Sequence, residues 1–394
     1  MKYLLIDGNN LAIRSAFANE SLTSSSGVPT GVHYGVFHSL ITLKSRFPEH
    51  KFLMVWDGKS KRRKEESEQG VQDNLIPSSY KSNRKKDDLP RPLQEFHEQQ
   101  VYLQRGIFQT GIPQIRLSDY EADDVIASYV EKLKSNHEVL IVTSDKDYWQ
   151  LLDDNVSLWD GMKSTKTTKE SWSKEYGLNP LQAIDIGALC GDNGDNIFGI
   201  PGWGEKTAIK EIQKHGSWEK VISGLEKKFK ALKKEFPDIK DIVNGKINLK
   251  TTSFFNTITD NEDLENKFNN LMEETSGTKI IRKKYPDVNI NTPYSGVILA
   301  LHLGMAKVKK TDLMAVAFKE RVRLAYSLKK MDKDIELPEI KNVESNKEKL
   351  MEYFEYFDIK SLQEGIDVLF EEDCEKESVA LKDMENEEDI ISIA

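Results

Sequence analysis

The sequence predicts an α/β protein with a central, mostly parallel sheet and flanking helices. Three continuous apolar runs, residues 3–6, 52–56 and 139–142, are typical of strands that are covered on both faces. Each run is followed within three residues by an aspartate, and helical patterns lie between the runs. Strands that alternate with helices in this way indicate a parallel sheet.

The first two strands place aspartates at the same edge of the predicted sheet. Asp7 follows the first strand, and a helix is predicted to begin near Asn10. A second helix is predicted over 32–46, and the next strand is followed by Asp57. In open parallel sheets the ligand site lies beyond the carboxyl ends of the strands, so these acids are predicted to line such a site.

The densest group of acids surrounds the third predicted strand. Glu121, Asp123 and Asp124 open a helical pattern before it, and Asp145 and Asp147 follow it. Carboxylates crowded at one edge of a sheet repel one another unless cations neutralise them or they take up protons. We therefore predict that divalent metal ions bind at this edge.

Capping is the alternative role for each of these acids. A single aspartate at the end of a strand commonly caps the next helix or forms a turn. Residues Ser118 to Glu121 also fit a capping box, and acids suit the positive end of a helix dipole. Capping uses one or two acids rather than Glu121, Asp123 and Asp124 together, which favours metal binding by the combined set.

A basic segment, residues 58–117, joins the second strand to the acidic helix. A connection of this length inside a compact domain is either functional or disordered. On a helix Lys81 and Arg84 would share one face directed at phosphate, with Tyr80 beside them to stack on a base. The alternative is a solvated basic loop.

Beyond Asp147 the pattern predicts a short helical turn over 148–152, a further strand over 156–159 and an amphipathic helix over 180–190. That last helix leads to two more spaced acids, Asp192 and Asp195.

A glycine-rich turn over 199–204 follows these acids and opens a helix that continues towards His215. Glycines permit a close approach of backbone, and the N–H groups at the start of a helix attract phosphate. A helix, turn and helix of this kind grips a duplex backbone without reading its sequence.

The composition is that of a soluble globular protein in a reducing compartment. The chain has 394 residues, of which 38% are hydrophobic and 31% charged, which is enough for two or three subdomains. It has two cysteines without metal-type spacing, and its apolar runs are too short for a signal peptide or a membrane span. A cytoplasmic protein that does not enter a membrane is expected.

Net charge alone would argue against binding to nucleic acid, since the chain carries −9 at pH 7. The acids are concentrated, however, at strand ends and in the tail, residues 371–389, whereas residues 59–64 and 81–86 form basic patches.

The chain resembles the 5′-nuclease family, which includes flap endonucleases, phage 5′-3′ exonucleases and the N-terminal 5′-nuclease domain of bacterial repair DNA polymerases. The motifs that carry the resemblance are residues 4–10, 55–59, 80–84, 121–124, 144–151 and 191–208. They follow the family's order over roughly the first 220 residues. The resemblance implies a PIN-like nuclease core and a helical, DNA-binding subdomain of helix-hairpin-helix type.

The resemblance also implies the site residues and their ions, two Mg²⁺ or Mn²⁺. One ion would be surrounded by Asp7, Asp57, Glu121 and Asp123, and the other by Asp145, Asp147, Asp192 and Asp195, with Asp124 between the two groups. Lys81 and Arg84 match catalytic basic residues that contact the scissile phosphate from an arch. The glycine-rich turn matches one that holds K⁺ against the duplex. The implied DNA contacts are Tyr80, Lys85, Gly199, Ile200, Gly202, Gly204, Lys206 and Thr207.

Five regions are expected from this resemblance and from its gaps. They are a nuclease core over 1–175 with a basic arch at about 58–117, a duplex-binding subdomain over 176–224, an atypical, mostly helical insertion over 225–318, a closing helical segment over 319–370, and an acidic, disordered tail over 371–394. The stretch 296–308 is expected to pack internally, with a partner-binding surface as the alternative. The tail or the insertion is the candidate contact for a replication protein. The chain ends where a polymerase would begin, so a stand-alone, monomeric nuclease is expected.

The implied reaction is phosphodiester hydrolysis near the 5′ end of DNA flaps, at nicks, or in RNA–DNA hybrids, by two ions roughly 4 Å apart. RNA primer removal, DNA replication and DNA repair are the expected roles. A non-catalytic scaffold that binds branched DNA is one alternative, and it would have lost some of the acids. A PIN-type ribonuclease is another, and it would be shorter and lack the arch and the glycine-rich turn. Flap endonuclease and exonuclease activities are not separated by these residues.

Overall fold

The chain divides into two compact units, each described here by itself. The first unit comprises Met1–Glu66, Tyr80–Ile184 and Leu328–Ala394, and the second comprises Ser67–Ser79 and Asp185–Ser327. The computed structural model describes residues 1–84, 89–235, 258–274 and 310–370. Lys85, the stretch 296–308 and the acidic tail lie outside these residues.

Within the described part of the chain, a six-stranded sheet forms the centre of the first unit. Its strands are β1 (Lys2–Asp7), β2 (His50–Trp56), β3 (Gln114–Arg116), β4 (Glu138–Val142), β5 (Val156–Asp160) and β6 (Thr165–Thr167). Their order is β3-β2-β1-β4-β5-β6, and every neighbouring pair is parallel except β5 and β6. The predicted α/β fold with a mostly parallel sheet is confirmed.

The register of the central strands brings their carboxyl ends together. In β1, Leu5 lies opposite Leu53 of β2 and Ile141 of β4, and Asp7 lies opposite Val55. The three apolar runs are therefore adjacent strands with their interiors aligned. The aspartates that follow them emerge at one edge of the sheet.

Helices alternate with the strands along the chain. They are α1 (Gly8–Ala18), α2 (Gly31–Arg46), α3 (Lys61–Gln72), α4 (Arg91–Phe108), α5 (Ala122–Leu133), α6 (Lys169–Tyr176) and α7 (Ala183–Cys190), with 3-10 helices at Lys146–Leu151 and Pro180–Gln182. The helix predicted over 180–190 is thus split, because Asn179 caps the separate turn that Pro180 opens. The first helix begins at Gly8 rather than near Asn10, since Asp7 is its cap.

The described part of the second unit is mainly helical. A short hairpin of β7 (Gly191–Asp192) and β8 (Ile197–Phe198) precedes α8 (Glu205–His215), α9 (Trp218–Glu235), α10 (Glu262–Glu274), α11 (Lys310–Ala317) and α12 (Lys319–Lys329). The predicted helix towards His215 is confirmed as α8.

The C-terminal segment returns to the sheet of the first unit. It consists of α13 (Lys347–Tyr356) and a 3-10 helix at Lys360–Leu369. Phe354 packs edge-on against Phe37 of α2 at a ring-centroid distance of 5.0 Å, and His33 stacks on Phe357 at 3.7 Å. These side chains share one hydrophobic core with the central strands.

Across the described residues, no helix combines the length and the apolar character needed to cross a membrane.

Candidate active site

The carboxyl edge of the sheet in the first unit carries most of the predicted metal-binding acids. Asp7 ends β1, Asp57 directly follows β2, and Asp145 follows β4. The other acids of this unit are Glu121, Asp123 and Asp124 at the start of α5, and Asp147 in the 3-10 helix after β4.

Asp7 is both a helix cap and a member of the acidic group. Its Oδ1 accepts a hydrogen bond from the Asn10 backbone N–H at 3.0 Å, and its Oδ2 accepts one from the Thr143 hydroxyl at 3.3 Å. Burial, and then the charge of Asp57, raise the pKa of Asp7 to about 8. The charge of Asp145 contributes to this shift of the pKa, and the hydrogen bond from the Asn10 N–H opposes it. The capping role and the crowding of acids therefore occur together at this residue.

Asp57 links the end of β2 to the start of α5 by a hydrogen bond. Its Oδ1 accepts a hydrogen bond from the Ala122 N–H at 2.9 Å. The next residue, Gly58, donates from its N–H to the Tyr120 carbonyl at 2.8 Å. Burial raises the pKa of Asp57 to about 6, although the charge of Lys81 opposes the shift.

Glu121 does not form the capping box suggested by the sequence. It is the N-cap residue of α5, and its side chain makes no capping hydrogen bond. Its carboxylate is held instead by Arg63 at 2.7 Å, the Tyr80 hydroxyl at 2.9 Å and Lys81 at 2.8 Å. The carboxylate is thus bound by these three donors at the acidic edge and does not cap the helix.

Arg63, a residue of α3, joins the three acids at the start of α5. Its Nη1 donates to Glu121 at 2.7 Å and to Asp123 at 3.0 Å. Its Nη2 donates to the other oxygen of Asp123 at 2.9 Å and to Asp124 at 2.8 Å. The residue is only 1% exposed. The sequence did not predict this role, because Arg63 was assigned there to a local basic patch.

That patch prediction, over residues 59–64, is wrong for its two arginines. Arg63 is buried, and Arg62 is partly buried and paired with Asp332 at 2.9 Å. A run of basic residues in a sequence does not indicate which of their side chains are buried. The only local signal was the position of Arg63 soon after Asp57, on the helix that leaves the acidic edge.

The charge of Arg63 separates the pKa values of the neighbouring acids. Burial alone would raise the pKa of Asp123, but the charge and hydrogen bonds of Arg63 bring it below its ordinary value. Burial, and then the charge of Asp123, raise the pKa of Asp124 to about 7. The buried Oδ2 of Asp124 has no hydrogen-bond partner among the described residues.

Asp145 and Asp147 lie in the loop and 3-10 helix after β4. Asp145 caps the 3-10 helix by accepting the Asp147 N–H at 2.9 Å. Lys329, which is 5% exposed, donates to both carboxylate oxygens of Asp147 at 2.7 Å. Sequence reasoning also missed Lys329, whose position offered no signal.

The expected helical face of Lys81 and Arg84 is absent, so that prediction is wrong. Tyr80 to Asn83 form turns, and Lys81 has a positive φ of 52°. A hydrogen bond from the Arg84 N–H to the Lys81 carbonyl at 3.1 Å closes the turn. The contacts to Glu121 draw Tyr80 and Lys81 onto the acidic edge, while Arg84 is exposed.

Asp192 and Asp195 lie in the second unit. Asp192 ends β7, and its Oδ1 accepts the Gly194 N–H at 2.8 Å and the Asp195 N–H at 3.4 Å. The backbone requires glycine at Gly191, where φ is 73° and an added Cβ would lie 2.4 Å from the Gly199 nitrogen.

The predicted glycine-rich turn leads directly into α8. Ile200 and Trp203 are buried and anchor the turn, and the Ile200 N–H donates to the Leu189 carbonyl at 2.8 Å. Gly204 is the N-cap of α8 and provides no side-chain cap. The exposed turn and helix start carry Gly202, Gly204, Lys206 and Thr207.

The donor set of the acidic edge fits hard divalent cations. It consists of carboxylate oxygens, which Mg²⁺ and Mn²⁺ prefer. The buried Asp124 oxygen that has no hydrogen-bond partner among the described residues, and the burial and mutual repulsion that raise the pKa of Asp7, both indicate that positive charge is still lacking there. Ligands of open parallel sheets bind beyond the carboxyl edge, and carboxylates gathered there can hold the metal ions that phosphoryl-transfer enzymes and nucleases use.

Comparison with known proteins agrees with this class. Residues 2–177 match the model of the 5′-3′ exonuclease N-terminal resolvase-like domain, and residues 178–279 match that of the 5′-3′ exonuclease C-terminal SAM fold. The second match extends into the range that the sequence analysis assigned to an insertion.

Two relatives show how far the similarity extends. A 5′-3′ exonuclease of Aquifex aeolicus is 35% identical over 238 residues, which are 60% of this chain and 76% of that protein. The thermostable DNA polymerase I of Thermus thermophilus is 34% identical over 227 residues, which are 57% of this chain and 25% of the polymerase. The chain thus spans about a quarter of the polymerase's length.

Solved structures to which the chain is similar include T5 5′-exonuclease with bound zinc, which is 24% identical with a TM-score of 0.46, covering 57% of this chain and 79% of that one. The catalytic core of Rad2 in complex with a DNA substrate is 15% identical with a TM-score of 0.46, covering 93% and 92%.

The chain belongs to the 5′-3′ exonuclease family. It is a nuclease of that family, with a resolvase-like, PIN-type α/β core followed by a helical SAM-fold domain.

Proposed function

We propose that the chain is a structure-specific 5′-nuclease that hydrolyses phosphodiesters near the 5′ end of DNA flaps, at nicks, or in RNA–DNA hybrids, in primer removal during DNA replication or repair. The observation that carries the proposal is the meeting of Asp7, Asp57 and Asp145 at one sheet edge, where Asp57 and Asp145 both raise the pKa of Asp7. Three separate strands deliver these acids, so their grouping is a property of the fold rather than of one loop.

The proposed cofactors are two Mg²⁺ or Mn²⁺ ions, with the assignment of acids that the family resemblance implies. When bound, such ions supply an activated water and stabilise the charge on the leaving oxygen. The residues of the chain position these ions: Asp7 is fixed by Asn10 and Thr143, and Asp57 is fixed by the start of α5.

Lys81 and Arg84 are proposed to bind the scissile phosphate, with Tyr80 stacking on a base. The Lys81 ammonium already lies 2.8 Å from Glu121, at the acidic edge where the phosphate must be bound. Its charge there would offset the phosphate charge that increases during hydrolysis. Arg84 is exposed three residues further on, and Lys85 follows it.

The glycine-rich turn of the second unit is proposed to hold the duplex backbone, with K⁺ at the turn. The N-terminus of α8, where Gly204 provides no side-chain cap, offers the positive end of the helix dipole, and Lys206 adds a positive charge. Gly199 and Ile200 shape the turn, and Thr207 lies on its exposed side. We also propose that the chain has the five regions expected from its sequence. The tail or the insertion is the proposed contact for a replication protein.

Asp145→Asn tests the proposed function. An asparagine can still accept the Asp147 N–H, so the 3-10 helix keeps its cap while one negative charge is removed. We expect magnesium-dependent cutting of a 5′-labelled flap, and of a nicked RNA–DNA hybrid, to fall by about a hundredfold or more. Affinity for both substrates should change by less than about threefold.

Asp154→Asn is the matched control, because Asp154 is exposed and pairs with Lys169 at 2.9 Å instead of joining the acidic edge. It should cut like the unmodified chain. Equal losses of cutting and binding in Asp145→Asn would contradict a catalytic role. Tight binding without cutting by the unmodified chain would favour a scaffold.

A further inference from the structure

One arginine stands among three carboxylates at the start of α5. The guanidinium of Arg63 makes four hydrogen bonds to Glu121, Asp123 and Asp124, all between 2.7 and 3.0 Å. Two of them form a fork on both oxygens of Asp123, the geometry in which arginine binds a carboxylate most strongly.

Two further hydrogen bonds to the protein hold Arg63 in place. Its Nε donates to the Leu328 carbonyl at 3.1 Å, and its backbone N–H donates to the Ser60 hydroxyl at 3.2 Å. A guanidinium that is 1% exposed and held from several directions cannot swing out to meet a substrate. Its charge is therefore a permanent part of the acidic edge.

Arg63 divides the acids of this edge into two groups. In the part of the chain that the structure describes, the oxygens of Glu121 and Asp123 are bonded to cationic or hydroxyl donors from Arg63, Tyr80 and Lys81. The described contacts of Arg63 do not include Asp7, Asp57 or Asp145. The first group is largely neutralised by cationic donors of the protein itself, whereas Arg63 does not neutralise the second group.

We propose that Arg63 is a positioning residue that serves as the resident counter-ion of the α5 carboxylates. It holds them in place before any metal arrives and limits the negative charge that is left to attract divalent cations. This inference rests on the proposed function, since it concerns the acids that would hold the metal ions. It predicts that divalent affinity depends on Asp57 more than on Glu121.

The test measures Mg²⁺ binding to the DNA-free protein by calorimetry, together with thermal unfolding in Mg²⁺ and in chelator. In Arg63→Met, loss of a nearby positive charge should tighten Mg²⁺ binding by about tenfold or more. Mg²⁺ should also raise its melting temperature more than that of the unmodified chain, because the crowded acids then lack their counter-ion.

Two variants that keep a positive charge at position 63 are the controls. Arg62→Met removes the neighbouring arginine of α3, which pairs with Asp332, and should leave Mg²⁺ affinity unchanged. Arg63→Lys keeps the positive charge without the fork and should stay within about threefold of the unmodified chain.

A second pair of variants tests the inference without altering Arg63, in case Arg63→Met does not fold. Glu121→Gln should change Mg²⁺ affinity by less than about threefold, because the carboxylate is already neutralised, whereas Asp57→Asn should weaken it by about tenfold or more. Equal losses of Mg²⁺ affinity in Glu121→Gln and Asp57→Asn would overturn the inference.

Arg63 would be only structural if Arg63→Met bound Mg²⁺ as tightly as the unmodified chain does. Its melting temperature would then lie below that of the unmodified chain by the same amount in Mg²⁺ and in chelator. That result would leave the proposed function intact. Absence of Mg²⁺ binding in the unmodified chain, in Arg62→Met and in all the other variants would instead count against the proposed function itself.

Discussion

Asp185 is a buried carboxyl of the second unit and is not one of the acids assigned to metal binding. Its Oδ1 accepts the N–H of Trp218 at 2.8 Å, at the start of α9. Burial raises the pKa of Asp185 to about 6, and the charge of Glu219 adds to the shift. The folded state therefore holds a proton on this residue at pH values where the unfolded chain has lost it.

Asp185→Asn should remove a pH-dependent loss of stability. Between about pH 4 and pH 6 the folded state binds more protons than the unfolded state, so the contribution of Asp185 to the free energy of unfolding falls as pH rises. Asparagine still accepts the Trp218 N–H and carries no charge. Relative to the unmodified chain, the variant should gain about 1–2 kcal/mol on going from pH 4.5 to pH 7.5. Urea unfolding at both pH values measures this, and a pH-independent difference between the two proteins would contradict it.

The junction after β2 shows how an element sets the geometry of the acidic edge. The Gly58 N–H donates to the Tyr120 carbonyl and the Lys59 N–H to the Ser118 carbonyl, both at 2.8 Å. A Cβ at Gly58 would lie 1.9 Å from the Leu117 carbonyl oxygen, which is backbone and cannot rotate away. Close contact between these two backbone segments thus places Asp57 beside the start of α5.

Gly58→Ala should separate the two segments. We expect a loss of about 2–3 kcal/mol in stability. Flap cutting should fall as well, because Asp57 moves relative to Glu121. Gly161→Ala is the matched control, since a Cβ there would meet only Trp159 Nε1 at 3.9 Å. Thermal unfolding and flap cleavage of both variants check the prediction, and normal melting and cutting by Gly58→Ala would refute it.

At the scale of the whole molecule, the N-terminal sheet of the first unit depends on the end of the described chain. Leu350, Phe354, Phe357 and Ile359 are at most 3% exposed and belong to the core that contains the central strands. The 3-10 helix at Lys360–Leu369 adds Ile366, and it packs against α2.

A chain that ends after Ser345 should therefore fail to fold cooperatively. Removing even one large core side chain costs about 3–5 kcal/mol, and this truncation removes several. A chain that ends after Phe370 keeps every core residue that the structure describes and should melt like the full-length protein. Circular dichroism melting and limited proteolysis compare the two. An equally cooperative transition in the shorter chain would show that the C-terminal segment is dispensable.

The sequence by itself determined the central sheet and the origin of its acids. The apolar runs at 3–6, 52–56 and 139–142 are local patterns, and each became a strand with an aspartate after it. Parallel pairing then requires those aspartates to reach the same edge. The short strands β3 and β6 were not predicted, because their three residues carry too little pattern.

Only the tertiary structure decided which charges face one another. Arg63 meets Glu121 across 58 residues of sequence, and Lys329 meets Asp147 across 182. A basic residue looks the same in a sequence whether it lies in solvent or in the interior. Its burial depends on how distant segments pack, and at this edge that packing determines how much of the acids' charge the protein neutralises itself and how much it leaves for metal ions.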